Sequence, residues 1–206
     1  MESKMSSGIA YRKLRTNIEF NKKNSNVNSI CLTSANKGSG TTTIACNLAN
    51  TFVANKKRVL LIDCNINHPQ IHKVFNMNND IGLTECLENK DYKNYVKYAY
   101  GFKDSNSDNL LYVMSAGKKR KYPIDLLSSN SFREFIESMK LVFDFILIDC
   151  PSLQQGSDVI PISHVVDGTV LVVSLSETDK NIAKKSIDQL KRNGVTILGT
   201  VLNKVE

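Results

Sequence analysis

The ten residues Ser34-Ala35-Asn36-Lys37-Gly38-Ser39-Gly40-Thr41-Thr42-Thr43 constrain this chain more than any other stretch. The apolar run Ile30-Cys31-Leu32 leads into them, and a helical pattern, Ile44-Ala45-Cys46-Asn47-Leu48-Ala49, leads out. Strand, glycine-rich turn and helix in that order form the setting of a phosphate-binding loop. The main-chain N–H groups of such a turn, with the positive end of the helix dipole, cradle an anion. The common pattern closes Gly-Lys-Ser/Thr. Here Gly40 is followed by Thr41, so the lysine that reaches the outer phosphates is missing.

The rest of the chain alternates between two periods. Strand patterns fall at residues 28–34, 58–63, 110–114, 145–149, 169–173 and 196–202. Helical patterns fall at 42–54, 82–87, 131–141, 158–165 and 179–192, the last with Ile182, Ile187 and Leu190 facing inward. The runs at 58–63 and 145–149 are apolar almost throughout, as in parallel strands covered on both faces. The alternation predicts an α/β fold: a three-layer, doubly wound, mostly parallel sheet. Ahead of the first strand, Tyr11, Leu14 and Ile18 share one face of an amphipathic helix, with Phe20 at its edge. Residues 21–27 read as a polar linker and 105–109 as a polar loop; 91–103 has no clear period.

A length of 206 residues suits one domain, divided into an N-terminal helix and linker (1–27) and a nucleotide-binding core (28–206). The net charge of +7 admits nucleic acid, an anionic membrane surface or an acidic partner. The basic residues are scattered, except for Lys118-Lys119-Arg120-Lys121, and no aromatic residues interleave with them. A lysine-rich solvated surface therefore explains the charge better than a nucleic-acid site. Cys31, Cys46, Cys64, Cys86 and Cys150 have no metal-ligand spacing and read as buried free thiols. His68 and His72 are four apart, a spacing that would share a helix face, but no third ligand stands beside them. Residues 1–10 lack an apolar leader, and no run reaches the ~18–20 residues of a membrane span. The expectation is a cytoplasmic protein that reaches a membrane only through a partner.

Three elements should meet at one edge of the sheet: the loop 36–43, the end of the second strand at Asp63 and the end of the fourth at Asp149. Ligands bind at the carboxyl ends of strands in such sheets. A loop holding phosphates needs a hydroxyl and carboxylates to place Mg²⁺ and its waters. Thr42 is the hydroxyl; Asp63 and Asp149 are the carboxylates. An aspartate ending a strand also serves as an ordinary turn residue, so the weight lies on the three occurring together.

With these motifs in place, the chain resembles the cytoplasmic bacterial tyrosine kinases of capsule and exopolysaccharide synthesis, the CpsD/CapB type. These belong to the deviant-Walker branch of P-loop NTPases. Residues 11–18, Tyr-Arg-Lys-Leu-Arg-Thr-Asn-Ile, are similar to the family's N-terminal arginine motif, which packs subunits into a ring. Residues 60–69, followed by His72-Lys73-Val74-Phe75 and Gly82-Leu83, look like its second Walker motif. Residues 143–151 are similar to its Walker B, and Val166-Asp167-Gly168 and residues 198–204 to its closing segments. The resemblance implies a P-loop NTPase fold, ATP or ADP with Mg²⁺, and tyrosine phosphorylation. By the family's pattern Asp63 and Asp149 are the catalytic and metal-binding carboxylates, Thr42 a further metal ligand, and Asn203 the residue facing adenine. Lys37, Gly38, Ser39, Gly40, Thr41, Thr42 and Thr43 would hold the nucleotide.

The departures gather where chemistry should occur. Thr41 stands at the lysine, Asn65 at the second carboxylate of an Asp-x-Asp pair, and Asn67 at a basic position. Ile9 replaces a glutamate of the ring motif, and Ser152 replaces a proline after Walker B. The seven tyrosines lie elsewhere than in the family's C-terminal cluster. Two readings stay open for Lys37: a substitute phosphate ligand, or a solvated loop lysine. Two also stay open for Arg12 and Arg15: a subunit contact, or a solvated basic face. The expected function is a tyrosine-kinase-like protein with weakened or lost phosphotransfer and a regulatory or scaffolding role. Its partners would be a transmembrane chain-length regulator, an active paralogous kinase and further copies of itself. The alternatives are an active autophosphorylating kinase and a partitioning ATPase of the ParA/MinD type.

Overall fold

The computed structural model describes residues 2–20, 27–103, 110–156 and 158–205. Helix α1 (Glu2–Phe20) precedes strand β1 (Ser29–Ser34), helix α2 (Thr41–Ala54) and strand β2 (Val59–Asp63). Two short helices follow, α3 (Ile71–Val74) and α4 (Leu83–Asn89), then a 3₁₀ segment (Tyr92–Lys97) and strands β3 (Tyr100–Lys103) and β4 (Leu110–Met114). Helices α5 (Pro123–Leu127) and α6 (Asn130–Lys140) lead to β5 (Phe145–Asp149) and α7 (Val159–Ser163). Strand β6 (Gly168–Ser174), helix α8 (Lys180–Arg192) and strand β7 (Ile197–Asn203) complete the described chain.

The strands form one sheet in the order β3-β4-β2-β5-β1-β6-β7, parallel except for β3. The six expected strands are present, and a seventh joins them at the edge. β3 had no legible period because three of its four residues are exposed. Most of the polar linker and the polar loop at 105–109 lie outside the described residues.

β1, β2, β5 and β6 are buried at every position, which is why their sequences read as continuous apolar runs. Alternate residues feed two cores. Leu61 and Leu147 pack with Leu48 and Phe52 of α2 and Ile18 of α1; the Phe52 and Phe145 rings stack with centroids 3.9 Å apart. Leu60, Ile62 and Ile146 pack on the other face with Phe132, Phe135 and Leu190. Two expected inward residues point out instead: Phe20 is 77% exposed and Ile182 is 41% exposed. Both sit near a helix end.

The loop before β6 fastens the lower edge of the sheet. Asp167 Oδ2 accepts from Asn28 N, Ser29 N and Ser29 Oγ at 2.9, 2.8 and 2.9 Å. Its Oδ1 accepts from Lys140 Nζ at 2.9 Å. Burial alone would raise this carboxyl, but the Lys140 ammonium and the donors from Asn28 and Ser29 outweigh it and hold it below the ordinary range. A depressed folded-state value means stability that is present above the unfolded value, near pH ~4, and is lost as pH falls through the folded one. Asp167→Ala should therefore cost about 2–3 kcal/mol at neutral pH. The gap between the urea midpoints of variant and wild type should close below pH ~4; a gap unchanged into acid would contradict this assignment.

Candidate functional site

β1 ends at Ser34, and the chain turns through residues 35–40 before α2 begins. Gly38 and Gly40 both take φ of +85°, where a Cβ is strained. A Cβ on Gly40 would also run into Asn203 Nδ2. The hydroxyls of Ser34 and Ser39 donate to Asn36 O at 2.9 and 2.8 Å and pin the turn from within. Ile44 N bonds Gly40 O at 3.0 Å. Among the described residues no side chain caps the first turn of α2, and none of that turn is acidic. Its leading amides are thus left for an external acceptor.

A cavity of about 380 Å³ opens over this turn. Lys37, Gly38, Ser39, Gly40, Thr41, Thr42 and Thr43 line it from one side. Asn65, His68 and Gln70 line it from the segment after β2, and Cys150, Ser152 and Gln155 from the segment after β5. No carboxylate is among the lining residues. Of the ammonium groups, Lys37 alone reaches the rim, exposed and without an ion-pair partner among the described residues.

The hydroxyl and carboxylates expected for a metal are placed differently from one another. Thr42 Oγ1 donates to Asp149 Oδ2 at 2.6 Å. Asp149 is 1% exposed, and its Oδ1 is buried with no hydrogen-bond partner. A hydroxyl held against a carboxylate with one orphaned oxygen is a donor set that fits Mg²⁺ and its waters. Asp63 sits in register beside Asp149; both carboxylates lie beneath the cavity wall rather than in it, and Asp63 keeps no oxygen free. Its Oδ1 accepts from Asn65 N at 3.0 Å, and its Oδ2 from Gln70 N and Ile71 N at 2.9 and 3.0 Å. The residue expected to face the reacting groups is instead buried against the backbone that starts α3.

Burial shapes the titration of this pair. Burial pushes Asp63 up to about 6, against the pull of its three amide donors. Burial and the neighbouring Asp63 raise Asp149 well above the usual carboxylate range, with the Thr42 hydroxyl opposing. Burial also holds the nearby thiols protonated: Cys46 is raised to about 12, and Cys64 and Cys150 rise well above the ordinary value. All five cysteines are free and buried.

Other expected residues have structural partners. Asn203, at the end of β7, donates from Nδ2 to Ser39 O at 2.8 Å, so it clamps the phosphate loop. Arg15 Nη1 donates to Thr51 O at 2.9 Å and ties α1 to α2, while Arg12 is exposed. His68 precedes α3 and His72 lies within it, so the two do not share a helix face. Sequence reasoning did not assign His68, Gln70 or Gln155 to the cavity wall. The only signal for them was position, just beyond strands that end in aspartate.

Comparison with known proteins places this geometry. The AAA domain family matches residues 27–193. Tyrosine-protein kinase YwqD of Bacillus subtilis is 33% identical over 202 residues, covering 98% of this chain and 83% of that protein. Tyrosine-protein kinase CpsD of Streptococcus pneumoniae is 34% identical over 197 residues, covering 95% and 83%. The kinase domain of the Escherichia coli tyrosine kinase ETK superposes with a TM-score of 0.88 at 27% identity, covering 96% of this chain and 75% of that one. Similarity that spans nearly the whole chain goes beyond a shared motif: the chain belongs to the bacterial tyrosine-kinase family of the CpsD/CapB type.

Proposed function

We propose that this protein binds ATP or ADP with Mg²⁺ at the loop 37–43, transfers the phosphoryl group poorly or not at all, and serves as a regulator or scaffold. The process is capsular or exopolysaccharide synthesis. The partners are a transmembrane chain-length regulator, an active paralogous kinase and other copies of this chain at the inner face of the membrane. The whole chain acts as one domain, with residues 1–27 as helix and linker and 28–206 as the nucleotide-binding core.

The observation that carries this reading is Thr41, which lines the cavity where the family's loop has lysine. A bound Mg-nucleotide supplies the phosphoryl group, and the metal neutralises its charge. The amides of residues 38–43 bind and orient phosphate oxygens without any help from the missing ammonium. Thr42 and Asp149 would hold the metal, and Asp63 shapes the wall by fixing the main chain at Gln70 and Ile71. Asn203 holds the loop in place by donating to Ser39 O. No residue of the wall supplies a full positive charge at the outer phosphates except Lys37 at the rim. Asn65 keeps the outline of a carboxylate but takes no proton from a tyrosine hydroxyl.

Calorimetric titration with Mg-ADP tests the binding half of this reading. Wild type should give a saturable isotherm. Gly40→Ala should lose it, because its Cβ meets Asn203 Nδ2 at a φ of +85°. Titration without saturation in wild type would overturn the assignment of the loop to nucleotide.

A further inference from the structure

The cavity over the phosphate loop does not end at Asn65 and His68. Two further hollows, of about 340 and 400 Å³, continue from these residues along the start of α3. They share Asn67, His68 and Lys119 with each other and His68 with the cavity over the loop, so the three lie side by side along one trench. The extension reaches from Pro151 and Gln155 at one end to His72 and Lys73 at the other.

The charge along this extension has one dominant sign. Lys73 and Lys119 are both exposed and have no carboxylate partner among the described residues. Two imidazoles, His68 and His72, line the same hollow, and His72 Nδ1 is buried with no hydrogen-bond partner among the described residues. Against these stands one carboxylate, Asp158, at the far end of the smaller hollow. The neighbouring basic residue behaves differently. Arg120 is locked to Glu85 at 3.2 Å and Glu88 at 2.6 Å. Glu85 lies close behind Gly117 and Lys118, its Oε1 accepting from Lys118 N at 3.2 Å as well as from Arg120, and Asp63 is buried and spends both oxygens on main-chain amides.

We infer that this trench binds a phosphorylated tyrosine carried by another protein chain, so that the protein reads a mark it does not itself write. The inference rests on the tyrosine-kinase-like reading of the adjoining loop, because that reading puts the phosphorylated side chain next to the cradle. A tyrosyl phosphate carries about −1.5 to −2 charges at neutral pH and three strong acceptor oxygens. Two unpaired ammonium groups supply the charge-assisted donors such a group needs, and the two imidazoles offer ring N–H donors beside them. The hollows fall in the volume range of small-ligand sites, and each has one proline in its lining, Pro151 in the smaller and Pro69 in the larger, as an apolar contact for a ring. Asn65, where the family has a carboxylate, leaves the entrance uncharged, so nothing there repels the phosphate.

Fluorescence anisotropy on the full chain tests this with one tyrosine peptide in three forms: phosphorylated, unphosphorylated, and with phosphoserine in place of phosphotyrosine. The phosphotyrosine form should bind at least ~10-fold tighter than either other form. Lys73→Glu combined with Lys119→Glu should weaken it by ~10-fold or more while leaving the thermal midpoint and Mg-ADP binding unchanged. Both positions are exposed, so the double variant should fold. Equal binding of the three peptides, or full binding by the double variant, overturns the inference. Capture of phosphatidylserine vesicles without any preference for the phosphotyrosine peptide overturns it in favour of a membrane contact. Failure of the peptide arm with Mg-ADP binding intact removes this inference alone; failure of Mg-ADP binding in wild type removes the proposed function.

Discussion

Thr41→Lys is expected to raise the affinity for Mg-ADP by roughly ten- to hundredfold, and phosphotransfer to tyrosine by roughly 10²–10³. Thr41 opens α2, lines the cavity and follows the strained Gly40. A lysine there extends from a position the backbone already holds, and lysine is a good helix former. The binding gain follows from one charge-assisted contact to phosphate, worth about 1.5–3 kcal/mol. The larger kinetic gain follows because charge moves onto the leaving phosphate in the transition state, where a preorganised cation counts for more than in the ground state. Asn65 remains in this variant, so recovery should stop short of a kinase with both carboxylates. Calorimetry and a phosphotyrosine assay on the same preparation separate the two effects. An affinity that does not change would mean that Lys37 already occupies the lysine's place.

The second large effect concerns Asp149, and its two parts have opposite signs. Asp149→Asn should abolish the dependence of nucleotide affinity on Mg²⁺, which in wild type should be roughly tenfold or more. The same substitution should stabilise the nucleotide-free protein by about 1–3 kcal/mol. Asp149 is buried beside Asp63, its Oδ1 has no partner, and no ammonium or guanidinium among the described residues pairs with either aspartate. Neutralising one of two adjacent buried carboxyls removes repulsion and desolvation cost while keeping the acceptor for Thr42. Thermal unfolding with and without Mg-ADP reads both parts, at roughly 2–4 °C per kcal/mol for a chain of this size. A variant that is less stable in the absence of ligand would show that the carboxylate holds the fold together, contrary to this account.

Much of this arrangement was legible before the coordinates because it is local. Strand, turn and helix around Gly38 and Gly40 follow from φ requirements and apolar period, and the buried strands follow from their uninterrupted apolar runs. The adjacency of Thr42 and Asp149 followed from the parallel alternation, which brings the end of β5 beside the end of β1. What was not legible depended on packing distances. Asp63 occupies the expected strand end, yet the short α3 folds back over it and claims both oxygens through Gln70 and Ile71. The hydrogen bond from the Asn203 amide to Ser39 O joins residues 164 positions apart, and no local pattern announces it. β3 carries too few buried residues to show a period. Phe20 and Ile182 have the right spacing for a buried face, but both are exposed among the described residues. His68, Gln70 and Gln155 belong to loops, and no period announces which loop residues will turn toward a cavity.

The central claim is that this loop holds phosphate with its backbone while lacking the cation that drives transfer. The most direct measurement is the rate at which phosphate passes from radiolabelled Mg-ATP to a tyrosine-bearing substrate, with wild type and Thr41→Lys side by side under saturating nucleotide. The account predicts wild type at background and the lysine variant clearly above it. Wild type matching or exceeding the lysine variant would contradict it.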